Sequence, residues 1–168
     1  LEIESADLRI DGSGIKVDSL KLGVDGGSAN LKGGVSGPIN MPTFDLMGVF
    51  TSLPIEKLIN IKGVNTREYI EGRISGDLAI GGSSNRRVEL SGQVKLNEND
   101  RVTIRERWSL LRALSILDNE RTYLRIDFNQ GAFSFSTGGG GMEVSGIDLT
   151  AGDQARLLGG FKTRLPTQ

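Results

Sequence analysis

Residues 70–80 read IEGRISGDLAI, with apolar residues or glycine at the even positions and mostly polar residues at the odd ones. A little further on, residues 88–96 read VELSGQVKL and repeat this alternation. Successive side chains of a β-strand point to opposite faces of the sheet, so both stretches predict strands with one apolar and one polar face. The functional question is then what covers the apolar face: the protein's own core or a bound ligand.

The composition narrows the chemistry that is open to the chain. It has no histidine and no cysteine, which excludes the commonest catalytic base, a cysteine nucleophile and zinc sites made of these residues. The 20 basic and 21 acidic residues are interspersed, so no basic patch favours nucleic acid. Glycine is frequent, at 24 residues, and proline rare, at 4, which is typical of short strands joined by tight turns.

The length predicts a single β-rich module covering residues 1–168. The chain contains no signal peptide and no run of about 18 apolar residues. It begins Leu-Glu-Ile-Glu without an initiator Met, so we expect a fragment of a longer protein whose targeting signal or anchor lies elsewhere.

Alternating segments fill most of the chain and predict about ten strands. Residues 43–52, TFDLMGVFTS, favour a strand over a helix because their apolar residues alternate. Two phase shifts interrupt the pattern, one predicting a bulge or bend near Asp18-Ser19 and one within residues 142–149. Asp25-Gly26-Gly27 predicts a type I′ turn, and residues 97–100 predict another turn.

Two segments have helical spacing instead. Residues 53–61, LPIEKLINI, place Pro54 in a first turn and apolar residues at i, i+3 and i+4, which predicts a short helix. Residues 105–119, RERWSLLRALSILDN, carry two lines of apolar residues, one of which begins at Trp108. Strands and helices do not alternate regularly along the chain, so nothing supports a parallel sheet.

Polar candidates for chemistry are weak. The glycines at 138–141 are not followed by the Lys-Ser/Thr of a phosphate loop, and the Asp25 turn lacks the tandem copies that would complete a calcium site. Acidic residues that would form an acid/base pair lie on the predicted polar face or in turns, where carboxylates simply solvate the sheet. These carboxylates are Glu68, Glu71, Asp77, Glu98 and Asp100. We therefore expect no catalytic residue, no cofactor and no metal ion.

The strongest feature is a set of apolar residues that share one phase of the alternation. An ordinary core, in a sandwich or under helices, would produce the same pattern. Two short helices cover only part of a ten-strand sheet, so either the sheet folds on itself or part of the face stays open. The set comprises Phe44, Leu46, Phe50, Ile74, Leu78, Ile80, Val88, Leu90, Val94, Leu96, Leu124, Ile126, Phe128, Phe133 and Phe135.

Residues 69–104, YIEGRISGDLAIGGSSNRRVELSGQVKLNENDRVTI, resemble the repeating units of the AsmA-like and TamB-like bacterial envelope proteins, in which apolar residues and glycines alternate through paired strands. Residues 107–117, RWSLLRALSIL, stand where the AsmA-like C-terminal region has a short leucine-rich helix. Residues 123–166 follow its strand, glycine turn and strand, and residues 42–59 resemble its earlier strand-then-helix segment.

This resemblance implies a fold: an elongated, strongly curved antiparallel sheet, shaped like a groove or a taco, with two short helices. It implies a periplasmic module of a Gram-negative cell envelope whose parent protein is anchored in the inner membrane. The apolar set above would then bind phospholipid acyl chains.

The resemblance also implies a non-enzymatic role in phospholipid transport between the inner and outer membranes, or in outer-membrane biogenesis with outer-membrane assembly proteins as partners; no nucleic-acid partner is expected. Two alternatives remain. One is a scaffold for envelope assembly that binds partner strands by β-augmentation. The other is a hydrolase, which would need a deep pair of carboxylates.

Overall fold

The computed structural model describes residues 2–12, 14–38, 40–58, 65–83, 86–105, 125–138 and 141–164. These residues form eleven strands of one antiparallel sheet. The strands are β1 (Glu2–Asp11), β2 (Gly14–Val24), β3 (Gly27–Ser36), β4 (Thr43–Pro54), β5 (Ile70–Ser83), β6 (Arg86–Lys95), β7 (Arg101–Arg105), β8 (Arg125–Phe128), β9 (Gln130–Gly138), β10 (Gly141–Ala151) and β11 (Ala155–Arg164).

Nine of the strands follow one path, in the order β1-β2-β3-β4-β5-β6-β9-β10-β11. The other two form a branch, because β5 divides one of its edges between two partners. Its first residues, Ile70–Arg73, pair with β7, and the later residues, from Ser75 onwards, pair with β6. Strand β8 pairs with β7. The sheet does not close, so β1 and β11 are the edge strands of the nine-strand path.

The mainly β, antiparallel architecture confirms what the alternation predicted, and so do the finer features of the register. The pairing of β2 shifts around Asp18-Ser19 with both of its neighbours. The pairing of β10 shifts between Val144 and Ile147, where the sequence shows its second change of phase. Asp25 and Gly26 have φ angles of 46° and 80°, as a type I′ turn requires at its two central positions.

The prediction of two short helices is not borne out. In the first segment, β4 extends through Pro54 and pairs with β5, and the described residues that follow form one helical turn, α1 (Ile55–Leu58); residues 59–61 lie outside the described residues. Leu53 and Pro54, which the local spacing predicted to be helical, therefore form strand pairs with β5. A 3₁₀ turn follows at Thr66–Glu68. In the second segment, Arg105 ends β7 as a strand residue, and residues 106–119, including Trp108, lie outside the described residues.

A buried core occupies one end of the sheet, which we call the closed end. Phe50, Ile74 and Val94 lie there on adjacent strands and are 3%, 2% and 1% exposed. The branch contributes the alternate residues of its two strands, all of them buried: Val102, Ile104, Ile126 and Phe128. Ile55 of α1 joins the same cluster. The branch therefore supplies the second layer that a single sheet needs to bury apolar side chains.

Large side chains on the apolar face lie against glycines of the next strand. Gly76 is the cross-strand partner of Phe50, and Gly92 is the partner of Phe135. A Cβ atom built on Gly76 would lie 2.9 Å from Phe50 Cζ, and one on Gly92 would lie 3.0 Å from Phe135 Cε1. The same added atom on Gly92 would also overlap the backbone carbonyl oxygen of Asp77. Glycine is therefore required at both positions, because the neighbouring side chain and backbone lie too close for a Cβ atom.

We predict that Gly92→Ala destabilises the protein by about 1–3 kcal/mol, the usual cost of overpacking a core. The neighbouring ring and the Asp77 carbonyl leave no room for a methyl group. The control is Gly81→Ala in β5, where an added Cβ meets nothing within 4 Å and the free energy should change by less than about 0.5 kcal/mol. Urea unfolding of the three proteins measures both values, and equal midpoints would contradict the packing described.

Candidate functional site: the apolar face

One face of the sheet is apolar across its full width. Cross-strand partners can be followed from one edge strand to the other without leaving this face. One such row consists of Ala6, Leu20, Leu31, Gly48, Leu78, Gly92, Phe135, Val144 and Phe161. The alternation that is visible in single strands therefore adds up to a continuous surface nine strands wide, which we call the apolar face.

The structure distributes the residues of the predicted lipid-binding set unevenly over this face. Six are buried at the closed end: Phe50, Ile74, Val94, Leu96, Ile126 and Phe128. Seven are partly buried: Phe44, Leu46, Leu78, Ile80, Leu90, Phe133 and Phe135. Val88 is 51% exposed, and Leu124 lies outside the described residues. Nearly half of the set is therefore part of the protein's own core, as the alternative interpretation of the pattern held.

Exposure of the apolar face increases along each central strand away from the core. In β6, Val94 is 1% exposed, Leu90 is partly buried and Val88 is 51% exposed. In β4, Phe50 is buried whereas Leu46 and Phe44 are partly buried. Six strand residues span about 20 Å. The face thus changes from core to accessible surface over that distance, and we call Phe44, Leu46, Ile80, Val88 and Leu90 the open half.

The open half continues onto strands that the predicted site did not include. Ile10, Ile15, Val35 and Phe44 are successive cross-strand partners from β1 to β4. Ile10 is 78% exposed, and Leu8 and Ile3 on the same strand are exposed as well. The alternation of Leu8 and Ile10 was visible in the sequence, but only the register of β1 against β2 places them on the same face as Phe44.

The candidate acid/base residues serve local structure. Glu71 pairs with Arg105, and Asp77 Oδ2 accepts from the Gln93 backbone N–H at 3.2 Å. The buried Asp100 accepts from the Asn97 N–H at 3.0 Å, which holds the predicted turn. Glu68 Oε1 accepts from the Asn65 amide at 3.2 Å, and Glu98 is exposed. None of these carboxylates lies on the apolar face.

The described residues offer neither a metal site nor a membrane-spanning helix. No group of three or more acidic residues is placed so that it could hold a metal ion there. None of the helical segments in those ranges has the length and apolar character needed to cross a bilayer.

A polar network covers the opposite, outer face of the branch. Asp127 accepts from the buried Thr103 hydroxyl at 2.6 Å and from two guanidinium nitrogens of Arg125 at 2.6 and 3.0 Å. The hydrogen bonds from Arg125 lower the pKa of Asp127, the Thr103 bond adds to this, and partial burial opposes it. Because the folded-state pKa lies below the unfolded one, the network contributes stability above that unfolded value and loses it as pH falls.

We predict that Asp127→Asn lowers the free energy of unfolding by about 1 kcal/mol at pH 7. Asparagine retains an acceptor for Thr103 but has no charge to pair with Arg125. The difference from the wild type should shrink as the pH falls below about 3.9, the ordinary value for Asp, because the wild-type carboxylate becomes protonated. Urea titrations from pH 7 to pH 2.5 measure it, and a difference independent of pH would contradict the assigned charge interaction.

Comparison with known proteins adds no relative. No family model, no curated protein and no solved structure matches this chain.

Proposed function

We propose that this chain is a non-enzymatic lipid-binding module whose open half holds phospholipid acyl chains. The observation that carries the proposal is the gradient of exposure along the apolar face. On the inward side of β6, exposure falls stepwise along the strand. Val88 is exposed, Leu90 and Gly92 are partly buried, and Val94 is fully buried. Large exposed apolar patches on a folded protein mark surfaces that bind something apolar.

We further propose that the sheet curls lengthwise into a groove, as the AsmA-like and TamB-like resemblance leads one to expect. Ala29 of β3 and Leu149 of β10 belong to one buried cluster. These strands stand five positions apart in the sheet, which is about 24 Å if the sheet were flat. Glycines between the large residues would favour such a curl, because they leave space on the inner side of the bend.

The energetics of this groove follow from burial of hydrocarbon. Each methylene group removed from water contributes about 0.8 kcal/mol. An acyl chain that covers the open half would therefore gain several kcal/mol while its headgroup stays in water. The branch fills the closed end with Val102, Ile104, Ile126 and Phe128. The groove in this module would accordingly be open at one end only.

The cellular role we propose follows the same resemblance. The module would lie in the periplasm, as part of a protein anchored in the inner membrane, and would carry phospholipids towards the outer membrane or support outer-membrane assembly. The interspersed charges and a net charge of −1 offer no alternative attraction for nucleic acid.

Substitutions along β6 separate the groove from the core. Leu90→Glu places a carboxylate in the open half, where water reaches it, so we expect a folded protein, destabilised by about 1–2 kcal/mol, that has lost most of its bound lipid. Val94→Glu places the same carboxylate in the core and should prevent folding, because a buried unpaired charge costs several kcal/mol. Thermal unfolding and mass spectrometry of extracted lipid measure the two effects.

The matched control is Glu89→Leu, on the exposed outer face next to Leu90. This variant should retain both its stability and its bound lipid. The groove proposal fails if the wild type carries no lipid, if Leu90→Glu is unfolded, or if folded Leu90→Glu binds as much lipid as the wild type.

A second candidate function, a scaffold that binds partner strands, is favoured by one observation. Every described residue of β1 is exposed over ten residues, including Ile3, Leu8 and Ile10. A long exposed edge with apolar side chains is a ready template for β-augmentation. This role would need no lipid and would use the edge of the sheet, not its face.

Charge on the edge separates this candidate from the groove. Ser5→Lys and Asp7→Lys, combined, add positive charge to the outer side of β1, which is a recognised way of blocking edge pairing. If the protein is a scaffold, this double variant should lose its envelope partners in a pull-down while its lipid content is unchanged. If the protein is a lipid-binding groove, Leu90→Glu should lose its bound lipid and keep any partner that the edge captures.

A further inference from the structure

Both edge strands of the nine-strand path are long and have one free side. Strand β1 pairs with β2 and β11 pairs with β10, and among the described residues no strand lies on the other side of either one. Each edge also carries exposed apolar side chains. Ile10 of β1 is 78% exposed, and Leu158 and Phe161 of β11 are 61% and 47% exposed. Free edges of this kind are templates for pairing with a further strand.

The two edges carry opposite formal charge. Acidic residues outnumber basic ones by four to one in β1, whereas β11 has three basic residues and no acidic one, so the two strands carry −3 and +3. The charged residues are Glu2, Glu4, Asp7, Arg9 and Asp11 in β1, and Arg156, Lys162 and Arg164 in β11.

Salt bridges to the neighbouring strand reduce this contrast but do not remove it. The pairs across each edge are Glu4–Lys21, Arg9–Asp18, Arg156–Asp148 and Lys162–Glu143. When the neighbouring strand is counted with each edge, β1 and β2 together carry −2, and β10 and β11 together carry +1. Ion pairs this exposed contribute little, so the long cationic side chains can also reach a carboxylate on a new neighbour.

Strand direction determines how a second copy could extend the sheet. Every pairing along the nine-strand path is antiparallel, so β1 and β11 run in the same direction. A copy that keeps its apolar face on the same side can therefore pair like edges in antiparallel fashion or unlike edges in parallel fashion. Like edges bring charges of one sign together, which is unfavourable, whereas β11 against β1 brings opposite charges together.

We propose that two copies of this chain associate head to tail, with β11 of one copy pairing in parallel with β1 of the other. This proposal uses the same β1 edge as the scaffold candidate and names a second copy as the source of the partner strand. Leu8 and Ile10 of one copy would then lie on the same side of the joined sheet as Phe161 of the other. Because the contact is heterologous, a free β1 and a free β11 remain, and further copies can add.

Analytical ultracentrifugation of the full chain tests the association. The average mass of the wild type should rise with concentration and reach at least about twice the monomer value near 1 mM. Ser5→Lys with Asp7→Lys brings the formal charge of β1 to zero, and Leu158→Glu with Lys162→Glu does the same for β11. Each double variant alone should associate at least about tenfold more weakly than the wild type, because every head-to-tail contact needs both edges.

A mixture of the two double variants gives the sharper result. The intact β11 of the first can pair with the intact β1 of the second while the other two edges are blocked, so the mixture should form a dimer and nothing larger. Lys32→Glu makes a matched charge change on the interior strand β3 and should associate as the wild type does. Circular dichroism during heating checks folding, and Lys162→Gln replaces the β11 double variant if that variant is unfolded.

The proposal is overturned if the wild type stays monomeric, if either double variant alone associates as the wild type does, if the mixture forms no dimer, or if Lys32→Glu also abolishes association. A wild type that captures an envelope partner but stays monomeric would support the scaffold candidate and overturn the second copy as its partner. Lipid extracted from Leu90→Glu reports on the groove independently of all these results.

Discussion

The contact of a large side chain with a glycine on the next strand is the constraint on which the sheet depends. Phe50 lies over Gly76, and Phe135 lies over Gly92. In one cross-strand row the residues are Leu31, Gly48, Leu78, Gly92 and Phe135, so large residues and glycine alternate across strands as well as along them. The rings of Phe50 and Phe135 fill the space that the missing side chains of Gly76 and Gly92 leave on the apolar face.

The branch makes the two ends of this face different. Because β7 occupies the first part of the β5 edge, β6 pairs only with the later part, and the β7–β8 pair is free to cover the closed end. Its four buried apolar residues complete a core there. No described element covers the open half in the same way. An acyl chain in that position would cover the apolar side chains of the open half, as the branch covers those of the closed end. This is the physical basis of the proposed lipid-binding role.

Strand β5 separates the buried apolar side chains from a charged outer face. Its even residues, such as Ile74, face the core, and its odd residues, such as Glu71 and Arg73, line a polar cleft on the opposite side. Arg73 is held by the carbonyl oxygens of Ser52 in β4 and of Asp25 in the turn between β2 and β3, so its position depends on the packing of the strands around Ile74.

The sequence by itself determined the strands, because their period of two residues is set by the backbone and does not depend on distant contacts. The bulge at Asp18-Ser19 and the turn at Asp25-Gly26 were equally readable, since a change of phase and a residue type report on local geometry. The helix predicted from the spacing of residues 53–61 begins later than expected, because Leu53 and Pro54 belong to β4. Pairing with β5 there satisfies the backbone of residues whose spacing alone favoured a helix.

Only the tertiary structure decided which apolar residues form core and which remain accessible. Val94 and Val88 have the same residue type, the same strand and the same phase, yet one is 1% and the other 51% exposed. The difference arises from the branch, whose position depends on how β5 shares its edge, and no local pattern encodes that. The opposition of Arg73 and Arg101, 28 residues apart in the chain, is likewise a product of register. Periodicity reports the face of a side chain, whereas burial depends on what packs against that face.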